Sequence, residues 1–499
     1  AELAQGYLTT ASGCRVGVGG RFVLRGPEDV VLQRLLSLNF RIARPICTEL
    51  PAELCTLLQG HFIGALLVGE PDSGKTTLSE ALLYGTGTIR KLGRVDHKDA
   101  FLDTDALEKA RGITIFSKQA LFTAGNTDFT LLDTPGHVDF STETERTLQV
   151  LDYAVLVISG TDGVQSHTET LWRLLRRYRI PTFVFVNKMD LPGMTREQLL
   201  SQLNHRLGEG FVDFGAEPAA RNEALALCDE QLMEKMLDAG TLTDSDIIPA
   251  VARRHVFPCW FGAALRLDGV DALLDGLDRY TRPAPALHAF GARVFKVSQD
   301  EQGARLTWLR VTGGELKVKA QLTGEADGEP WAEKANQLRL YSGAKYTLTE
   351  AIGPGQVCAV TGLTKARPGE GLGAERDSDL PVLEPVLSYQ VLLPEGADVH
   401  AALGKLHRLE EEEPQLHVVW NETLGEIHVQ LMGEIQLEVL RSLLAERYGL
   451  EVCFGPGGIL YKETITEAIE GVGHYEPLRH YAEVHVKLEP LPRGSGMQF

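Results

Sequence analysis

The sequence predicts a multidomain chain: a parallel α/β domain, then a small β-barrel, then a ferredoxin-like α+β domain. Three observations predict this order. Short apolar runs alternate with segments of helical period between about residues 62 and 280, short β-like runs broken by Gly and Pro turns follow, and the pattern βαββαβ comes next. The length of 499 residues also fits about three domains.

The α/β domain is predicted from four apolar runs, at residues 64–68, 129–133, 154–159 and 182–186. These runs lack alternation of polar and apolar residues, which is typical of strands that helices cover on both faces. A segment of helical period at 168–177 and a Pro-containing hinge at 282–285 complete this region.

The two later domains are predicted from shorter elements. We expect barrel strands at 292–297, 307–311 and 315–322. For the ferredoxin-like domain we expect strands at 385–393, 415–420, 426–431 and 450–454, with helices at 399–410 and 434–447; a further strand is expected at 482–488. The predicted boundaries are an N-terminal extension at 1–60 and domains at 61–283, 284–380, 381–463 and 464–499.

Charge and cysteine usage exclude several classes of protein. With 49 basic and 68 acidic residues the net charge is −19, which argues against a diffuse basic surface for nucleic acid, so an RNA partner has to be held locally. The seven cysteines are odd in number and form no CxxC pair, which favours a reducing cytoplasm over a disulfide scaffold or a zinc site. No apolar run is long enough for a membrane span.

A phosphate-binding loop is predicted at residues 69–76, which read GEPDSGKT. The loop follows an apolar strand and opens a helix, the context that this motif requires. Its glycines let backbone N–H groups face phosphate oxygens, the Lys75 ammonium reaches the β- and γ-phosphates, and the Thr76 hydroxyl binds Mg²⁺. The predicted nucleotide-binding residues here are Asp72, Gly74, Lys75, Thr76 and Thr77.

A sensor of the γ-phosphate is predicted at residues 133–137, which read DTPGH and follow the second strand. Asp133 can hold the hydration shell of Mg²⁺, and Gly136 exposes an N–H to the γ-phosphate. His137 can orient the attacking water. Taken alone, the segment is a turn with a surface histidine; its position after a phosphate loop favours the catalytic interpretation.

Selection of GTP over ATP is predicted from residues 187–190, NKMD, at the end of another strand. Asp190 can accept hydrogen bonds from the N1–H and exocyclic amine of guanine, and adenine lacks both donors. Between the first two motifs, Thr114 in the segment RGITI can complete the Mg²⁺ shell in a nucleotide-dependent switch. The predicted roles are catalysis for Lys75, Thr114 and His137, metal binding for Thr76, Thr114 and Asp133, and nucleotide binding for Asp133, Gly136, Asn187, Lys188 and Asp190.

These motifs resemble those of the translational GTPases of the elongation factor G class, and within it the tetracycline-resistance ribosomal protection proteins and related bacterial factors. The resemblance also rests on VDF at 138–140, GEIQLE at 433–438 and LPRGSGMQ at 491–498. It implies a cytoplasmic, monomeric factor that hydrolyses GTP, needs Mg²⁺ and acts on ribosomal RNA and proteins, with a P-loop GTPase domain followed by domains II to V.

Two departures from the family pattern stand out. Ala263 occupies the position of a usual Ser, but the family mostly reads the base there through a backbone N–H, which Ala264 can supply. Residues 1 to about 75 resemble stage III sporulation protein AA, whose P-loop also runs into GKTTL. We therefore interpret the chain as a chimera joined within 74–78, with an N-terminal extension of the family as the alternative.

The resemblance leaves other functions open. The chain can be an elongation-factor-G-like translocase, a release-factor recycling GTPase, or a non-catalytic ribosome-binding fragment. The last stays open because the pattern of residues 464–499 indicates the truncated start of a fourth domain. With such a truncation we expect the chain to bind GTP and yet fail to rescue translation in the presence of tetracycline.

Overall fold

The computed structural model describes residues 7–9, 15–24, 30–40, 62–94, 97, 100–102, 108–109, 113–300, 302–326, 328–379, 381–460, 465–475 and 482–492. Among the sequence motifs, Arg111 and Gly112 of RGITI and residues 493–498 lie outside this part. Within the part that is described, no helix combines the length and apolarity needed to cross a membrane.

The N-terminal unit, residues 1–60, contains a three-stranded antiparallel sheet. Its strands are β1 (Tyr7–Thr9), β2 (Arg15–Leu24) and β3 (Val30–Phe40), with β2 in the middle.

The α/β domain is built on a seven-stranded sheet with the order β5-β6-β4-β7-β8-β10-β9. The strands are β4 (Phe62–Gly69), β5 (Lys118–Ala124), β6 (Thr127–Asp133), β7 (Tyr153–Ser159), β8 (Thr182–Asn187), β9 (Phe211–Asp213) and β10 (Phe257–Phe261). Within this sheet, β5 at one edge runs antiparallel to its neighbour and the other pairs are parallel. The parallel sheet predicted from the apolar runs is confirmed.

Among the described residues, eight α-helices accompany this sheet. They are α1 (Lys75–Gly85), α2 (Ser141–Leu148), α3 (Ser166–Arg177), α4 (Arg196–Leu207), α5 (Pro218–Ala226), α6 (Glu230–Ala239), α7 (Asp244–Ala252) and α8 (Val270–Tyr280). Short 3₁₀ turns span Val138–Phe140 and Ala264–Arg266. Strand β4 contributes Ile63 and Leu67 to one apolar core and Leu66 and Val68 to another, so the strand is buried on both faces.

The β-rich domain has a six-stranded antiparallel sheet, β17-β16-β19-β12-β11-β20, and two paired ribbons, β13 with β18 and β14 with β15. The strands are β11 (Gly291–Gln299), β12 (Arg305–Gly313), β13 (Leu316–Lys317), β14 (Gln321–Ala326), β15 (Glu329–Lys334), β16 (Gln337–Ser342), β17 (Lys345–Thr349), β18 (Ala351–Ile352), β19 (Val357–Thr361) and β20 (Gly371–Gly373). The single strand expected at 315–322 is instead two strands, because Lys319 has φ of 65° and turns the chain between them.

The ferredoxin-like domain follows the predicted order βαββαβ. Its elements are β21 (Leu387–Leu392), α9 (Val399–Glu412), β22 (Val419–Asn421), β23 (Glu426–Leu431), α10 (Glu434–Tyr448) and β24 (Cys453–Phe454), with β25 (Gly458–Ile459) paired to β21. The strand expected at 415–420 was wrong in its first half. A 3₁₀ turn occupies Pro414–Leu416, and His417 has φ of 38°, so pairing begins only at Val419.

Two further strands, β26 (Ile469–Tyr475) and β27 (Ala482–Leu488), pair as an antiparallel ribbon. The second occupies the residues predicted from the sequence. The short strand β24 covers only the end of the predicted range 450–454.

Helix α2 carries charged side chains that are buried against the other domains. The Glu143 carboxylate accepts hydrogen bonds from Lys296 Nζ at 2.7 Å and from Ser117 N at 2.9 Å. Burial raises the pKa of Glu143, but Lys296, with the Ser117 N–H and the charge of Arg146, holds the pKa below its ordinary value. Arg146 donates to both carboxylate oxygens of Glu413, at 2.8 and 2.9 Å. One helix therefore binds both the β-rich and the ferredoxin-like domain.

Glu145, on the same helix, binds the segment that joins those two domains. Its carboxylate accepts hydrogen bonds from Val382 N at 2.7 Å and Leu383 N at 2.9 Å, and from the Tyr178 hydroxyl at 2.6 Å. These bonds fix the start of the ferredoxin-like domain against the α/β domain.

A second buried ion pair joins the β-rich domain to the α/β sheet. Arg310 Nη2 donates to both oxygens of Asp152 at 2.7 and 2.6 Å, and Nη1 donates to Val150 O at 2.8 Å. Asp152 also accepts from Gly64 N at 2.9 Å. The two charged side chains are 10% and 4% exposed, so they are shielded from water.

We expect Arg310→Ala to destabilise the protein, because it leaves the Asp152 carboxylate buried without its guanidinium. Breaking such a pair costs about 3–5 kcal/mol, and thermal unfolding followed by circular dichroism should show a clearly lower midpoint. The matched control is Lys317→Ala, since Lys317 pairs with Glu315 on the surface, where the side chains are 68% and 50% exposed. An Arg310→Ala midpoint equal to that of the control would show that the pair adds no stability.

Candidate nucleotide-binding site

The phosphate loop connects the end of β4 to the start of α1. Asp72 and Gly74 have φ of 60° and 80°, and Ser73 N donates to Glu70 O at 3.2 Å, which closes a tight turn. The turn ends at Gly74, the N-cap of α1. The first-turn N–H groups of this helix, at Lys75, Thr76 and Thr77, have no partner within the helix, as in other anion sites at helix N-termini.

Gly74 is required by space as well as by backbone conformation. A Cβ at this position would collide with Nδ2 of Asn187, and Lys188 Cε lies 4.0 Å from the same point. Lys188 itself has φ of 61°. The NKMD segment thus packs directly against the phosphate loop.

Lys75, the first residue of α1, and Asp133, the last residue of β6, form a buried ion pair. Lys75 Nζ lies 2.7 Å from Asp133 Oδ1 and also donates to Thr134 O. The side chains are 5% and 0% exposed. An ammonium held at this point is available to a phosphate group beside the loop, where it can exchange the carboxylate for a phosphate oxygen.

The residues predicted to bind Mg²⁺ fit that ion. Thr76 Oγ1 and Thr114 Oγ1 are 3.1 Å apart, and the buried Asp133 Oδ2 has no hydrogen-bond partner among the described residues. Hydroxyl and carboxylate oxygens are the ligands that Mg²⁺ prefers. The buried carboxylate Glu108 holds the backbone beside Thr114, since its Oε1 accepts from Ile115 N at 2.9 Å.

Gly136 and His137 follow β6, and Gly136 lies against the backbone of the phosphate loop. A Cβ on Gly136 would stand 3.0 Å from Gly69 O and 3.3 Å from Glu70 O, so glycine avoids a tight contact with the loop backbone here. His137 is 28% exposed, and its Nδ1 lies 3.2 Å from both the backbone nitrogen and Oδ1 of Asp139. The imidazole is therefore held by Asp139 in either neutral tautomer.

Asn187 joins the phosphate loop to the segment predicted to bind the base. Its Nδ2 donates to Ser73 O at 2.9 Å, and its Oδ1 accepts from Ala264 N at 2.8 Å. The Ala264 N–H, predicted to read the base, is bonded to Asn187 in this structure, so base recognition through it requires exchange of that bond.

Asp190 stands beyond Asn187, with Oδ2 at 2.9 Å from Arg266 Nε. The Arg266 side chain is 68% exposed. Exposed ion pairs contribute only about 0–1 kcal/mol, so Arg266 can leave the carboxylate to a better partner at little cost.

Two contacts near the site were not predicted from the sequence. Glu70, in the phosphate loop, is buried and accepts a hydrogen bond from Thr168 N at 2.7 Å and another from the Thr168 hydroxyl, which ties the loop to the start of α3. Burial and then the neighbouring His137 lower the pKa of His167 to about 4, so this histidine is neutral at physiological pH. Glu70 and Thr168 are far apart in sequence, as are His137 and His167, and no local pattern indicates that they are neighbours.

Comparison with known proteins identifies two regions of this chain. Residues 62–283 match the family model "Elongation factor Tu GTP binding domain", and residues 382–456 match "Elongation Factor G, domain III". Both matches begin after the N-terminal unit, and the resemblance of that unit to a sporulation protein stays a prediction.

Whole-chain similarities agree with the family matches. The chain is 34% identical over 467 residues to tetracycline resistance protein TetM of Streptomyces lividans, which covers 87% of this chain and 72% of that protein. It is 32% identical over 511 residues to elongation factor G 1 of Geobacter sulfurreducens, covering 87% and 74%. A crystal structure of a Thermus thermophilus protein superposes with a TM-score of 0.70 at 27% identity, over 86% of this chain and 73% of that one. The chain therefore belongs to the translation-factor GTPases of the elongation factor G type, the family that includes the tetracycline resistance proteins.

Proposed function

We propose that this protein binds GTP with Mg²⁺ at the site described above and hydrolyses GTP on the ribosome, as a ribosomal protection factor against tetracycline. The observation that supports it best is the pair of Asn187 hydrogen bonds, to Ser73 O and from Ala264 N. They join the phosphate loop, the NKMD segment and the segment around Ala264. We propose tetracycline as the drug because the chain is 34% and 30% identical to the tetracycline resistance proteins TetM and TetP.

Some residues of this site bind the nucleotide and Mg²⁺, and others act in the hydrolysis of GTP. Lys75 and the N–H groups at the start of α1 bind the phosphates, and Asp190 binds the guanine edge. Thr76, Thr114 and Asp133 would hold Mg²⁺, which neutralises charge on the β- and γ-phosphates when bound. His137 orients the attacking water, and Gly136 donates its N–H to the γ-phosphate. From the family resemblance we expect a monomer that acts in the cytoplasm.

A translocase of the elongation factor G kind is the second candidate, because identity to elongation factor G 1 of Geobacter sulfurreducens is 32%. The two candidates share the GTPase site and differ in what they do for the ribosome. Translation in vitro separates them: a protection factor restores synthesis in tetracycline, whereas a translocase restores synthesis when elongation factor G is omitted.

The test of the proposed function is GTP hydrolysis with and without ribosomes, beside the translation assay. We expect hydrolysis of GTP and not ATP, stimulated by ribosomes. The translation assay decides between protection in tetracycline and the failure expected from the sequence. Hydrolysis that ribosomes leave unchanged would overturn the proposed partner, and equal affinity for ATP and GTP would overturn the proposed nucleotide.

For nucleotide choice, we expect Asp190→Asn to shift preference from guanine to xanthine nucleotides. The amide replaces an acceptor by a donor, and xanthine carries a carbonyl where guanine carries the amine, so the new pair matches. Competition against a fluorescent GTP analogue measures the shift. Asp238→Asn, an exposed change on α6, is the control and should keep guanine preference. Unchanged preference in Asp190→Asn would remove Asp190 from the base site.

For hydrolysis, we expect His137→Ala to lower ribosome-stimulated kcat by about 10², the usual scale for a lost general acid–base or positioning group, with GTP affinity nearly unchanged. His205→Ala, an exposed histidine on α4, is the matched control. Single-turnover hydrolysis and equilibrium binding give the two quantities separately. If affinity falls in parallel with kcat, His137 supports the fold of the site and not the chemistry.

A further inference from the structure

Asp139 caps a helix that belongs to another domain. Its Oδ2 accepts hydrogen bonds from Ile435 N at 2.9 Å and Gln436 N at 3.4 Å. These are the second and third residues of α10, whose N–H groups a capping side chain normally satisfies. The helix's own N-cap residue is Gly433, which has no side chain to do so. A carboxylate from the α/β domain therefore supplies the cap, and its charge also suits the helix N-terminus.

Gly433 is explained by this contact and not by backbone conformation. Its φ is −170°, an extended value that any residue adopts. A Cβ built at Gly433 would collide with Cγ and both carboxylate oxygens of Asp139. Glycine leaves room for the Asp139 carboxylate, which any other side chain at this position would displace.

The same residue holds the proposed catalytic histidine. Nδ1 of His137 lies 3.2 Å from the backbone nitrogen of Asp139 and 3.2 Å from Oδ1. Oδ1 thus faces the imidazole while Oδ2 faces α10. A rotation of the carboxylate that improves one contact loosens the other.

Apolar packing beside the cap involves the segment around Thr114, the residue proposed to bind Mg²⁺. Ile115, next to Thr114, and Phe140, next to Asp139, form a buried cluster with Val439 of α10. Ile435 and Leu443 pack against this cluster. The segments that carry Thr114 and His137 therefore both contact α10.

We propose that Asp139 is a positioning residue that makes the orientation of His137 depend on docking of α10. This inference rests on the proposed hydrolysis of GTP at the site. With α10 docked, Ile435 N and Gln436 N fix the carboxylate, and the carboxylate and backbone of Asp139 fix the imidazole. With α10 displaced, Asp139 loses two donors, and His137 loses a fixed partner. Movement of the ferredoxin-like domain thereby controls hydrolysis without any contact to the nucleotide.

The test uses a substitution in the ferredoxin-like domain, away from His137. Gly433→Ala should lower kcat for GTP hydrolysis by about tenfold to a hundredfold, the range expected when a catalytic group leaves its working geometry, with GTP affinity unchanged. Gly404→Ala is the matched control: it lies in α9 of the same domain, and a Cβ there meets no atom of the described residues within 4 Å. Hydrolysis is measured both with ribosomes and as intrinsic turnover without them.

Two variants of Asp139 separate the cap from general loss of structure. Asp139→Asn keeps an oxygen for Ile435 N and places an N–H₂ group beside Nδ1 of His137, so it should retain most of the wild-type kcat. The kcat of Asp139→Ala should instead fall as far as that of Gly433→Ala. Amide exchange over 433–440 should accelerate in Gly433→Ala and Asp139→Ala and not in Gly404→Ala.

Faster exchange in Gly433→Ala with a wild-type kcat would overturn the proposal, because the cap would then be only structural. Wild-type exchange and wild-type kcat together would also overturn it. Absence of ribosomal stimulation in the wild type contradicts the proposed partner instead, and the intrinsic rates still decide the role of Asp139.

Discussion

The site depends on one constraint: β4, β6 and β8 run parallel, so their carboxyl ends reach the same edge of the sheet. Each of these strands is followed at once by a chemical motif, the phosphate loop after Gly69, Asp133 at the end of β6 and Asn187 at the end of β8. Residues distant in sequence therefore meet without any long loop. The strands incur no penalty in exposed apolar surface, because helices cover both faces of the sheet.

Charged groups, and not apolar ones alone, connect the three larger domains. Glu143, Glu145 and Arg146 lie within one turn of α2, and each is bonded to a different part of the chain. Buried charges are costly unless paired, so a displaced domain leaves carboxylates or guanidinium groups without partners. Such an interface favours a small number of discrete arrangements over gradual sliding. Helix α2, which carries these three residues, begins at Ser141, shortly after the segment 133–137 proposed to sense the γ-phosphate.

Sequence patterns predicted the elements of this protein well and their long-range contacts poorly. The order βαββαβ and the parallel sheet follow from periodicity, which is a local property. The residues STETERTL of α2 are polar almost throughout and resemble an exposed helix, yet Glu145 is fully buried. Its burial depends on Val382, Leu383 and Tyr178, which no local window contains. Likewise, the sequence shows a family motif around Asp139 and Gly433, but only the three-dimensional structure shows that one caps the helix of the other.

The ion pair between Asp152 and Arg310 has a consequence for biosynthesis. A chain made from its N-terminus completes the α/β domain at Tyr280, the end of α8, before Arg310 leaves the ribosome. Until then the Asp152 carboxylate has Gly64 N as its hydrogen-bond donor and lacks the countercharge of Arg310. Arrival of β12 then gives Asp152 the guanidinium of Arg310 as a partner, which stabilises strands already in place. The β-rich domain, which is synthesised later, thus stabilises the α/β domain, which is synthesised earlier.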